Sequence, residues 1–439
     1  MPFLLGQPQL LFFEALQDVP AIVIRIIAKI NIIFKLFIGS ELKNIKETIS
    51  KINYFPTNGQ QAPEYWKKIN KTRKNTVLTS QNPVKLLIAP LNWGLGHTTR
   101  CIPIIRYLLQ KNCQIWVAGN EEQLRLLLEE FPSINFIQLQ GYKISYPANR
   151  SSFSLKIFTQ IPGLLQSIAS ENRWLAKMQQ KFQWDLLISD NRYGLHHPGL
   201  LTIFITHQLA IRSGINRLTD NLLRRINYHF INRFKECWIP DYESRLSLAG
   251  SLSHPAHLPG NEKYIGPLSR FTYTGNENAS DLLVSISGPE PQRSIFEKIV
   301  LNQVSKIGGT VIIVRGKPGV ESLPAVSKNV IIYNHLTGNE LQTRIAGASI
   351  VLARSGYSTI MDLVMMQKKA ILVPTPGQTE QEYLGAHLSK HKMFYVVEQD
   401  QLDLAEDLKK IADISFVHHK QNFHQFESAV DKVLEQIRK

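Results

Sequence analysis

The sequence has few cysteines, and their number and spacing argue against a disulfide framework. Only three occur in 439 residues, at positions 101, 113 and 237, an odd number without paired spacing. The pattern indicates a reducing compartment in which each thiol is a small core residue. Metal-ligand spacing is also missing, because the two histidine pairs are adjacent in sequence and do not share a helix face. We therefore expect no disulfide scaffold, no metal site and no other cofactor.

The sequence also lacks an uninterrupted apolar run long enough to cross a membrane. Residues 20–38, PAIVIRIIAKINIIFKLFI, have the length of a span, but Arg25, Lys29 and Lys35 interrupt them. A charge near the bilayer centre is costly, so the segment predicts a basic amphipathic helix in the membrane interface. An extension with no such role is the alternative. No small-residue cleavage site follows, so we expect a cytoplasmic protein. If the segment is an interfacial helix, we expect that protein to be peripheral on the inner face of the membrane.

Acidic residues are too few to balance the basic ones. The 50 lysines and arginines exceed the 35 acids, which gives a formal net charge of +15. Residues 1–80 hold 11 basic and 5 acidic residues, so 11 minus 5 places +6 of this excess at the N-terminus. A basic balance favours nucleotides, phospholipid surfaces or nucleic acid as partners, with a merely solvated surface as the alternative. Nucleic acid is not expected, because no basic repeat alternates with aromatic residues.

From Val84 onward, short apolar runs alternate with helical stretches. Such alternation is typical of parallel sheets covered on both faces. Residues 267–280 are rich in turn formers and interrupt the pattern, which then resumes. We predict an α/β fold of two doubly wound, Rossmann-like domains facing a cleft: an extension over 1–83, domains over 84–266 and 267–418, and a last helix over 419–439. A long helix near 154–183 is expected to break at Pro162-Gly163.

The first loop with a chemical signal is Pro90 to Arg100, PLNWGLGHTTR. Gly94 and Gly96 lie between the first strand and the first helix, where they allow a ligand to approach the backbone closely. His97 opens the helix and is a candidate base for a hydroxyl acceptor; a purely loop-ordering histidine is the alternative. Asp190 ends another strand at the same predicted edge. As a dinucleotide fingerprint the loop is weak, since Thr99 replaces the third small residue.

The strongest signal is the segment from 351 to 386. An apolar run ends in Arg354, Ser355 and Gly356, and a helix follows with Thr359 and Asp362. Unpaired amides and a partial positive charge at a helix start suit a phosphate. A carboxylate at position 362 could accept both hydroxyls of a ribose, or it is an acid that favours an early helix position.

Two further loops complete the predicted pocket. Gln378, Glu380 and Gln381 follow the next strand, and acidic and amide groups suit sugar hydroxyls. Ser287 and Gly288 follow an earlier strand and could offer donors to a phosphate, although the prolines at 289 and 291 remove two amides. Arg315, predicted at the same edge, could pair with phosphate or be an ordinary surface residue. Together these loops describe a site for a nucleotide diphosphate that carries a sugar.

These motifs resemble those of the GT-B glycosyltransferases, and most closely family 28. The resemblance rests on GLGH near the start, RSG-x-x-T-x-x-D, and Q-x-E-Q before a helix, and it covers the layout of residues 84–439. It implies a UDP-sugar donor in the C-terminal domain, an acceptor in the N-terminal one, catalysis without a metal, and a last helix that returns to the first domain. The type enzyme of family 28 transfers N-acetylglucosamine to a lipid-linked peptidoglycan precursor.

The resemblance also implies roles for single residues. Asp362 would hold the ribose, and Glu380 and Gln381 would hold the sugar. The diphosphate would lie near Arg354, Ser355, Gly356 and Thr359, and the reaction centre would be lined by Gly94, Gly96 and His97. Three departures concern the acceptor more than the chemistry: Gly-Leu-Gly-His replaces a GGH core, SGPEPQ replaces a glycine- and serine-rich loop, and Asp362 replaces a usual Glu.

Three functions are therefore open from the sequence. The first is transfer of a sugar, with N-acetylglucosamine as one candidate, from a UDP-sugar to a hydroxyl of a glycan or lipid-linked acceptor of the cell envelope. The second is a UDP-sugar 2-epimerase, which shares the two-domain architecture. The third is a non-catalytic, membrane-associated subunit that binds a nucleotide sugar, which the basic segment over 20–38 favours.

Overall fold

The computed structural model describes residues 83–141, 153–211, 217–244, 247–273, 275, 279–417 and 425–438. Residues 78–439 belong to one compact unit. The predicted amphipathic helix over 20–38 lies outside the described residues. Among the helices within those ranges, none is both long and apolar enough to cross a membrane.

The N-terminal lobe is built on a seven-stranded sheet in which every pair of neighbours is parallel. The strand order is β3-β2-β1-β4-β5-β6-β7. The central strands are buried on both faces, which explains their nearly continuous apolar sequence. The strands are β1 Lys85–Pro90, β2 Gln114–Gly119, β3 Asn135–Gln138, β4 Leu186–Asp190, β5 Leu201–Ile205, β6 Glu236–Ile239 and β7 Glu262–Tyr264.

Four helices connect these strands: α1 Gly96–Gln110, α2 Glu121–Glu130, α3 Phe153–Phe182 and α4 Arg217–Ile231. The predicted break in α3 is wrong, because the helix continues through Pro162 and Gly163 over 30 residues. Apolar residues that follow Gly163 pack against Leu91 and Phe230, and this burial outweighs the local penalty of the proline. Helix α4 was not predicted from the sequence.

The C-terminal lobe repeats the plan with six parallel strands in the order β10-β9-β8-β11-β12-β13. The strands are β8 Ser280–Ser285, β9 Val311–Val314, β10 Val330–Tyr333, β11 Ala348–Ala353, β12 Lys369–Leu372 and β13 Tyr395–Val396. The helices are α5 Gln292–Val304, α6 Gly338–Ala346, α7 Tyr357–Met365, α8 Thr379–Lys390, α9 Leu404–Ala412 and α10 Gln425–Arg438.

Each sheet reverses its strand order at one point, between β1 and β4 in the first lobe and between β8 and β11 in the second. In open α/β sheets, ligands bind outside the carboxyl ends of the strands at such a point. The register pairs Pro90 with Asp190 and Ala353 with Ser285. The ends of β1 and β4 are therefore level, and so are those of β8 and β11, which sets the loops after them side by side.

Two connections join the lobes. In the linker after β7, Ile265, Leu268 and Phe271 are buried in a core shared by both lobes. Helix α10 follows the C-terminal lobe in sequence but packs on α1 of the N-terminal lobe, where Tyr107 donates to Asp431 at 2.8 Å. All three cysteines are buried free thiols. The predicted α/β architecture of two Rossmann-like parallel-sheet domains is confirmed.

Candidate active site

His97 and Asp190 meet because their loops leave adjacent strands. Nδ1 of His97 lies 2.8 Å from Oδ1 of Asp190, and the carboxylate is fully buried. Arg100, one turn further along α1, grips the same carboxylate with two nitrogens; Nε donates to Oδ2 at 2.5 Å and Nη2 donates to Oδ1. A buried carboxylate is stable only when paired in this way. The structure thus brings together two predicted site residues and adds a third.

The charges of this cluster set its protonation. Burial would raise the pKa of Asp190, but Arg100 and His97 outweigh it and bring that pKa to about 2. Burial lowers the pKa of His97 below its ordinary value, and the opposing effect of Asp190 does not restore it. At neutral pH, Asp190 is therefore a carboxylate and His97 a neutral imidazole. An imidazole in that state can accept a proton from a hydroxyl group.

The loop that carries His97 touches the C-terminal lobe. The Ser358 hydroxyl, in the first turn of α7, donates to the main-chain oxygen of Gly96 at 2.9 Å. A Cβ atom at position 96 would lie 3.0 Å from that hydroxyl oxygen, so glycine permits the approach. Gly94 is exposed with a positive φ of 78° and open space around it. Gly96 therefore permits a close contact between the lobes, and Gly94 permits a turn.

Helix α7 begins without a side-chain cap. Gly356 occupies the N-cap position and has no side chain that could bind the helix amides. Thr359 lies in the first turn. Ser355 is buried and donates its hydroxyl to the main-chain oxygen of Gln381 at 3.0 Å. This bond ties the loop after β11 to the first turn of α8, which follows the loop after β12. The amides at the start of α7 are thus placed beside the residues predicted to hold the sugar.

The loop after β12 is ordered by its own amide and acidic side chains. Gln381 accepts from the amide of Thr375 at 2.9 Å and donates to Gln378 at 2.5 Å. Glu382 accepts from the amide of Gly377 at 2.9 Å. The sequence reading did not name Glu382, although the acid stands next to Gln381. The predicted sugar loop is therefore preformed, and ordering it on binding costs little conformational entropy.

Helix capping differs between the middle of each sheet and the rest. Among the described helix starts, the N-cap residues of α1, α5, α7 and α8 make no side-chain bond to their helices, which follow β1, β8, β11 and β12. In α5, the Ser294 amide donates to the Glu290 side chain instead. By contrast α2, α6 and α9 are capped by Asn120, Thr337 and Asp403. A helix start without a protein cap leaves donors for an anion. These donors lie beside the points where the strand order reverses.

Glu380 of the C-terminal lobe is bound from the N-terminal lobe. Its Oε1 lies 2.7 Å from Nε2 of His207, the second residue after β5. Nδ1 of His207 lies 3.2 Å from Nη1 of Arg100, so the imidazole contacts both Arg100 and Glu380. Burial would raise the pKa of Glu380, but His207 outweighs it and the pKa is lowered. This predicted sugar contact is therefore a carboxylate held beside His97 and Asp190.

Asp362 is held by the linker between the lobes. It accepts from the Ser269 hydroxyl at 2.6 Å and pairs with Arg270 at 3.7 Å. Burial raises the pKa of Asp362 despite Arg270. The carboxylate thus already has two partners, and a ribose would have to share or displace them. Its predicted role in ribose binding stays a prediction.

The predicted phosphate-binding arginines are both engaged by protein groups. Arg354 is buried against the ring of Phe296 and donates to Gln399 and to three main-chain oxygens. Arg315 is bound to Glu297 and donates to Asn334 at 2.6 Å. Both therefore order loops of the C-terminal lobe, and a contact with phosphate stays a prediction for each.

The loop after β8 is the most open of the predicted phosphate loops. Ser287 and Gly288 are exposed, and Gly288 has a positive φ of 107°; a Cβ atom added there would meet no other atom within 4 Å. Residues with a side chain rarely adopt that backbone conformation, so glycine is needed for the turn. Within the ranges that the structure describes, no three histidine, cysteine or acidic side chains form a group that could hold a metal ion.

Sequence reasoning missed Arg100 and His207. A signal existed for each. Arg100 is the end of the same GLGHTTR loop and lies three residues after His97, on the same side of α1. His207 is the second residue after β5, at the strand edge where Asp190 ends β4. Polar residues immediately after adjacent parallel strands are expected to meet.

Comparison with known proteins agrees with this architecture. Residues 293–436 match the model of the glycosyltransferase family 28 C-terminal domain. A UDP-N-acetylglucosamine–N-acetylmuramyl-(pentapeptide) pyrophosphoryl-undecaprenol N-acetylglucosamine transferase of Histophilus somni is 23% identical over 349 residues, covering 74% of this chain and 89% of that protein. An uncharacterized glycosyltransferase of Methanosarcina acetivorans is 22% identical over 326 residues, covering 68% and 82%.

Solved glycosyltransferases share the fold at lower identity. The kitacinnamycin glycotransferase superposes with a TM-score of 0.55 and 11% identity, over 82% of this chain and 96% of that one. The calicheamicin glycosyltransferase gives 0.52 and 13%, over 82% and 95%. These structures show the fold alone, and that fold is GT-B. The chain therefore has the GT-B fold, and residues 293–436 are similar to the C-terminal domain of glycosyltransferase family 28.

Proposed function

We propose that the protein transfers a sugar from a UDP-sugar to a hydroxyl group of a glycan or lipid-linked acceptor, with His97 as the base. The observation that carries the proposal is the bond from the Ser358 hydroxyl to the Gly96 main-chain oxygen, 2.9 Å long. It joins the loop of His97 to the first turn of α7, where the diphosphate is predicted. In a direct displacement, base and leaving group lie on either side of one carbon atom, so they must be close.

The identity of the donor rests on a likeness in sequence. The Histophilus somni relative is named for UDP-N-acetylglucosamine and an undecaprenol-linked acceptor. We carry both over as classes: a UDP-sugar, with N-acetylglucosamine as the first candidate, and a lipid-linked sugar. A peripheral position on the inner face of the membrane is part of the proposal, because the basic segment over 20–38 suits an anionic lipid surface.

His97 is better suited than Asp190 to remove the proton. With a pKa of about 2, Asp190 is a weak base at neutral pH. The ionised Asp190 carboxylate can only accept, so its 2.8 Å contact with Nδ1 of His97 requires a hydrogen on Nδ1. We therefore assign the hydrogen to Nδ1, which leaves the lone pair of Nε2 free to act as base. Within the described residues, Nε2 has no hydrogen-bond partner. Asp190 orients the ring.

The proposed step is one displacement. Nε2 of His97 takes the hydroxyl proton while the hydroxyl oxygen forms a bond to the anomeric carbon of the donor. The bond from that carbon to the β-phosphate oxygen breaks, and its electron pair leaves with the diphosphate. Amides at the start of α7, with Ser287 and Gly288, face the growing negative charge. Gln381 and Glu380 hold the sugar, and Asp362 the ribose.

Assays of purified protein test the proposal. Calorimetry with UDP should register binding, and transfer should appear with at least one member of a panel of UDP-sugars. Replacing His97 by Gln should lower kcat by roughly 10²–10⁴-fold with little change in UDP affinity, since general-base catalysis supplies about that factor. His257→Gln is the matched control, because His257 is exposed. Transfer should persist in EDTA, because backbone amides are assigned the role of stabilising the leaving group.

Three results would count against the proposal. The first is the lack of any heat with UDP from a folded protein, and the second is wild-type turnover in His97→Gln. The third is a loss of transfer in EDTA that Mg²⁺ restores. That result would contradict only the metal independence of the reaction. The comparisons give no support to the 2-epimerase or to the non-catalytic subunit. Product analysis without an acceptor would distinguish a 2-epimerase from a transferase. Any catalytic turnover by the purified protein would exclude the non-catalytic subunit.

A further inference from the structure

His207 lies where the two lobes meet and contacts groups from both. The residue follows β5 and is almost fully buried. Nδ1 is 3.2 Å from Nη1 of Arg100 in the N-terminal lobe. Nε2 is 2.7 Å from Oε1 of Glu380 at the start of α8 in the C-terminal lobe. A single ring therefore bridges the buried cluster around Asp190 and the loop predicted to hold the sugar.

The two partners determine which nitrogen of His207 carries the hydrogen. Arg100 has only donors, so Nδ1 of His207 must accept. Nε2 then carries the hydrogen and donates it to the Glu380 carboxylate. This tautomer satisfies both contacts, and the direction of donation runs from Arg100 through His207 to Glu380. Within the described residues, no group binds the second carboxylate oxygen of Glu380, which can accept from a hydroxyl of the donor sugar.

A second contact fixes the plane of the ring. His207 stacks on Tyr357 with 4.0 Å between centroids and 8° between planes. Tyr357 is the first residue of α7, and its hydroxyl donates to the main-chain oxygen of Pro240 at 2.7 Å. The ring is thus held both by α8, through Glu380, and by α7, through Tyr357. Any relative movement of the lobes would break both contacts together.

We propose that His207 is a positioning residue that couples contact between the lobes to alignment of the catalytic pair. The inference rests on the proposed function. While Glu380 binds His207, the imidazole holds one nitrogen of Arg100, whose remaining nitrogens hold Asp190 and thereby His97. Without His207, Arg100 loses a partner in a buried site, and Glu380, whose side chain is 36% exposed, loses its contact with the N-terminal lobe. The lobes would then meet less accurately, and water would reach the donor more easily.

Two substitutions separate hydrogen bonding from packing. His207→Phe keeps an aromatic ring for Tyr357 but removes both hydrogen bonds. His207→Gln keeps an N–H donor for Glu380. The matched control is His257→Phe, since His257 is exposed in the same lobe. Steady-state transfer, donor hydrolysis without acceptor, and UDP affinity are measured for all three variants and the wild type.

We expect His207→Phe to lower kcat for transfer by roughly tenfold or more, since a lost hydrogen bond to a charged group typically costs about that factor or more. The ratio of hydrolysis to transfer should rise, while UDP affinity stays within about twofold because the nucleotide contacts are intact. His207→Gln should recover most of the loss. Adding Glu380→Gln to His207→Phe should cost less than Glu380→Gln costs the wild type, because the two residues act through one bond.

Either of two results would overturn this role. One is a His207→Phe variant that transfers at the wild-type rate with an unchanged hydrolysis ratio. The other is a folded His207→Gln variant as impaired as His207→Phe, since the retained donor would then have no effect. A wild-type protein that neither binds UDP nor transfers would instead remove the proposed function, and this role with it.

Discussion

Ser358 in the C-terminal lobe donates its hydroxyl to the main-chain oxygen of Gly96 in the N-terminal lobe at 2.9 Å. The contact places the loop that carries His97 against the first turn of α7. It also explains why position 96 is glycine, since a Cβ atom there would lie 3.0 Å from the Ser358 hydroxyl oxygen.

Gly96→Ala should impair transfer without preventing folding. The added methyl group pushes against Ser358 and moves the His97 loop by a few tenths of an ångström, so we expect kcat to fall by roughly tenfold. Ser358→Ala removes the clashing oxygen, and the double variant should recover part of the loss. Gly199→Ala, where a Cβ atom would meet only ordinary contacts, is the control. A Gly96→Ala enzyme as active as the wild type would show that the loop contact does not matter for turnover.

The pH profile of transfer should report His97. The base must be neutral, so kcat/KM falls as the pH drops through the pKa of His97 in the free enzyme. Burial lowers that pKa from its ordinary value of 6.5, so the acidic limb should lie below pH 6.5. Asp190 raises the pKa of His97. Asp190→Asn should therefore shift the limb to still lower pH while reducing kcat.

A control for this profile is Asp185→Asn, which alters the exposed carboxylate at the opposite end of β4. It should leave the limb unchanged. An acidic limb above pH 6.5 in the wild type, or a shift to higher pH in Asp190→Asn, would contradict the assignment of His97 as the base.

The pair of Arg100 and Asp190 should be costly to break from either side. Replacing Asp190 by Asn or Arg100 by Met leaves a buried charge unpaired, which typically lowers the free energy of unfolding by about 3–5 kcal/mol. The double variant should lose less than the sum, as measured by urea unfolding. Glu130→Gln breaks an ion pair whose Arg106 partner is 41% exposed, and it should change the free energy of unfolding by less than about 1 kcal/mol.

The same pair makes stability depend on acid pH. Since the pKa of Asp190 falls from 3.8 to about 2 on folding, the carboxylate stabilises the fold above pH 4. That contribution is lost as the pH falls from about 4 to about 2, and Asp190→Asn should not show this part of the loss. Equal acid sensitivity of the two proteins over that range would contradict the linkage.

Helix α10 should be held by apolar burial more than by its ion pair. Phe426 is 7% exposed and meets the Tyr107 ring edge-on at 5.9 Å between centroids. Phe426→Ala should lower the free energy of unfolding by about 3–5 kcal/mol. Asp431→Asn removes the contact with Lys111, but Asp431 is 39% exposed, so a change of less than about 1 kcal/mol is expected. Urea unfolding of both variants measures the difference, and the reverse order would contradict it.

The strands and the positions of the loops could be predicted because a parallel sheet requires continuous apolar runs followed by turns. The sequence therefore indicated that His97 and Asp190 lie at one edge of the sheet. It could not indicate that Arg100 clamps Asp190, because an arginine within a helix has many possible partners. Nor could it bring His207 to Glu380, since that contact depends on how two sheets are placed relative to each other.

The sequence reading was least informative about buried charges. Arg354 follows a strand as a phosphate ligand would, yet its guanidinium donates to Gln399 and to main-chain oxygens. Hydrophobic periodicity in the sequence does not distinguish an arginine that binds protein loops from one that binds a ligand. Helix α4 was missed although the sequence carried a signal for it. Leu222, Ile226 and Phe230 recur at helical spacing, with Arg224 and Arg225 between them.

The return of α10 to the first lobe gives the molecule two chain crossings where a simple pair of domains would have one. The two crossings lie side by side, because a Cβ atom at Gly266 of the linker would lie 3.3 Å from the Cβ atom of Gln425 at the start of α10. Any rotation of one lobe against the other should therefore be centred on this single region, and α10 should move together with the lobe that holds His97.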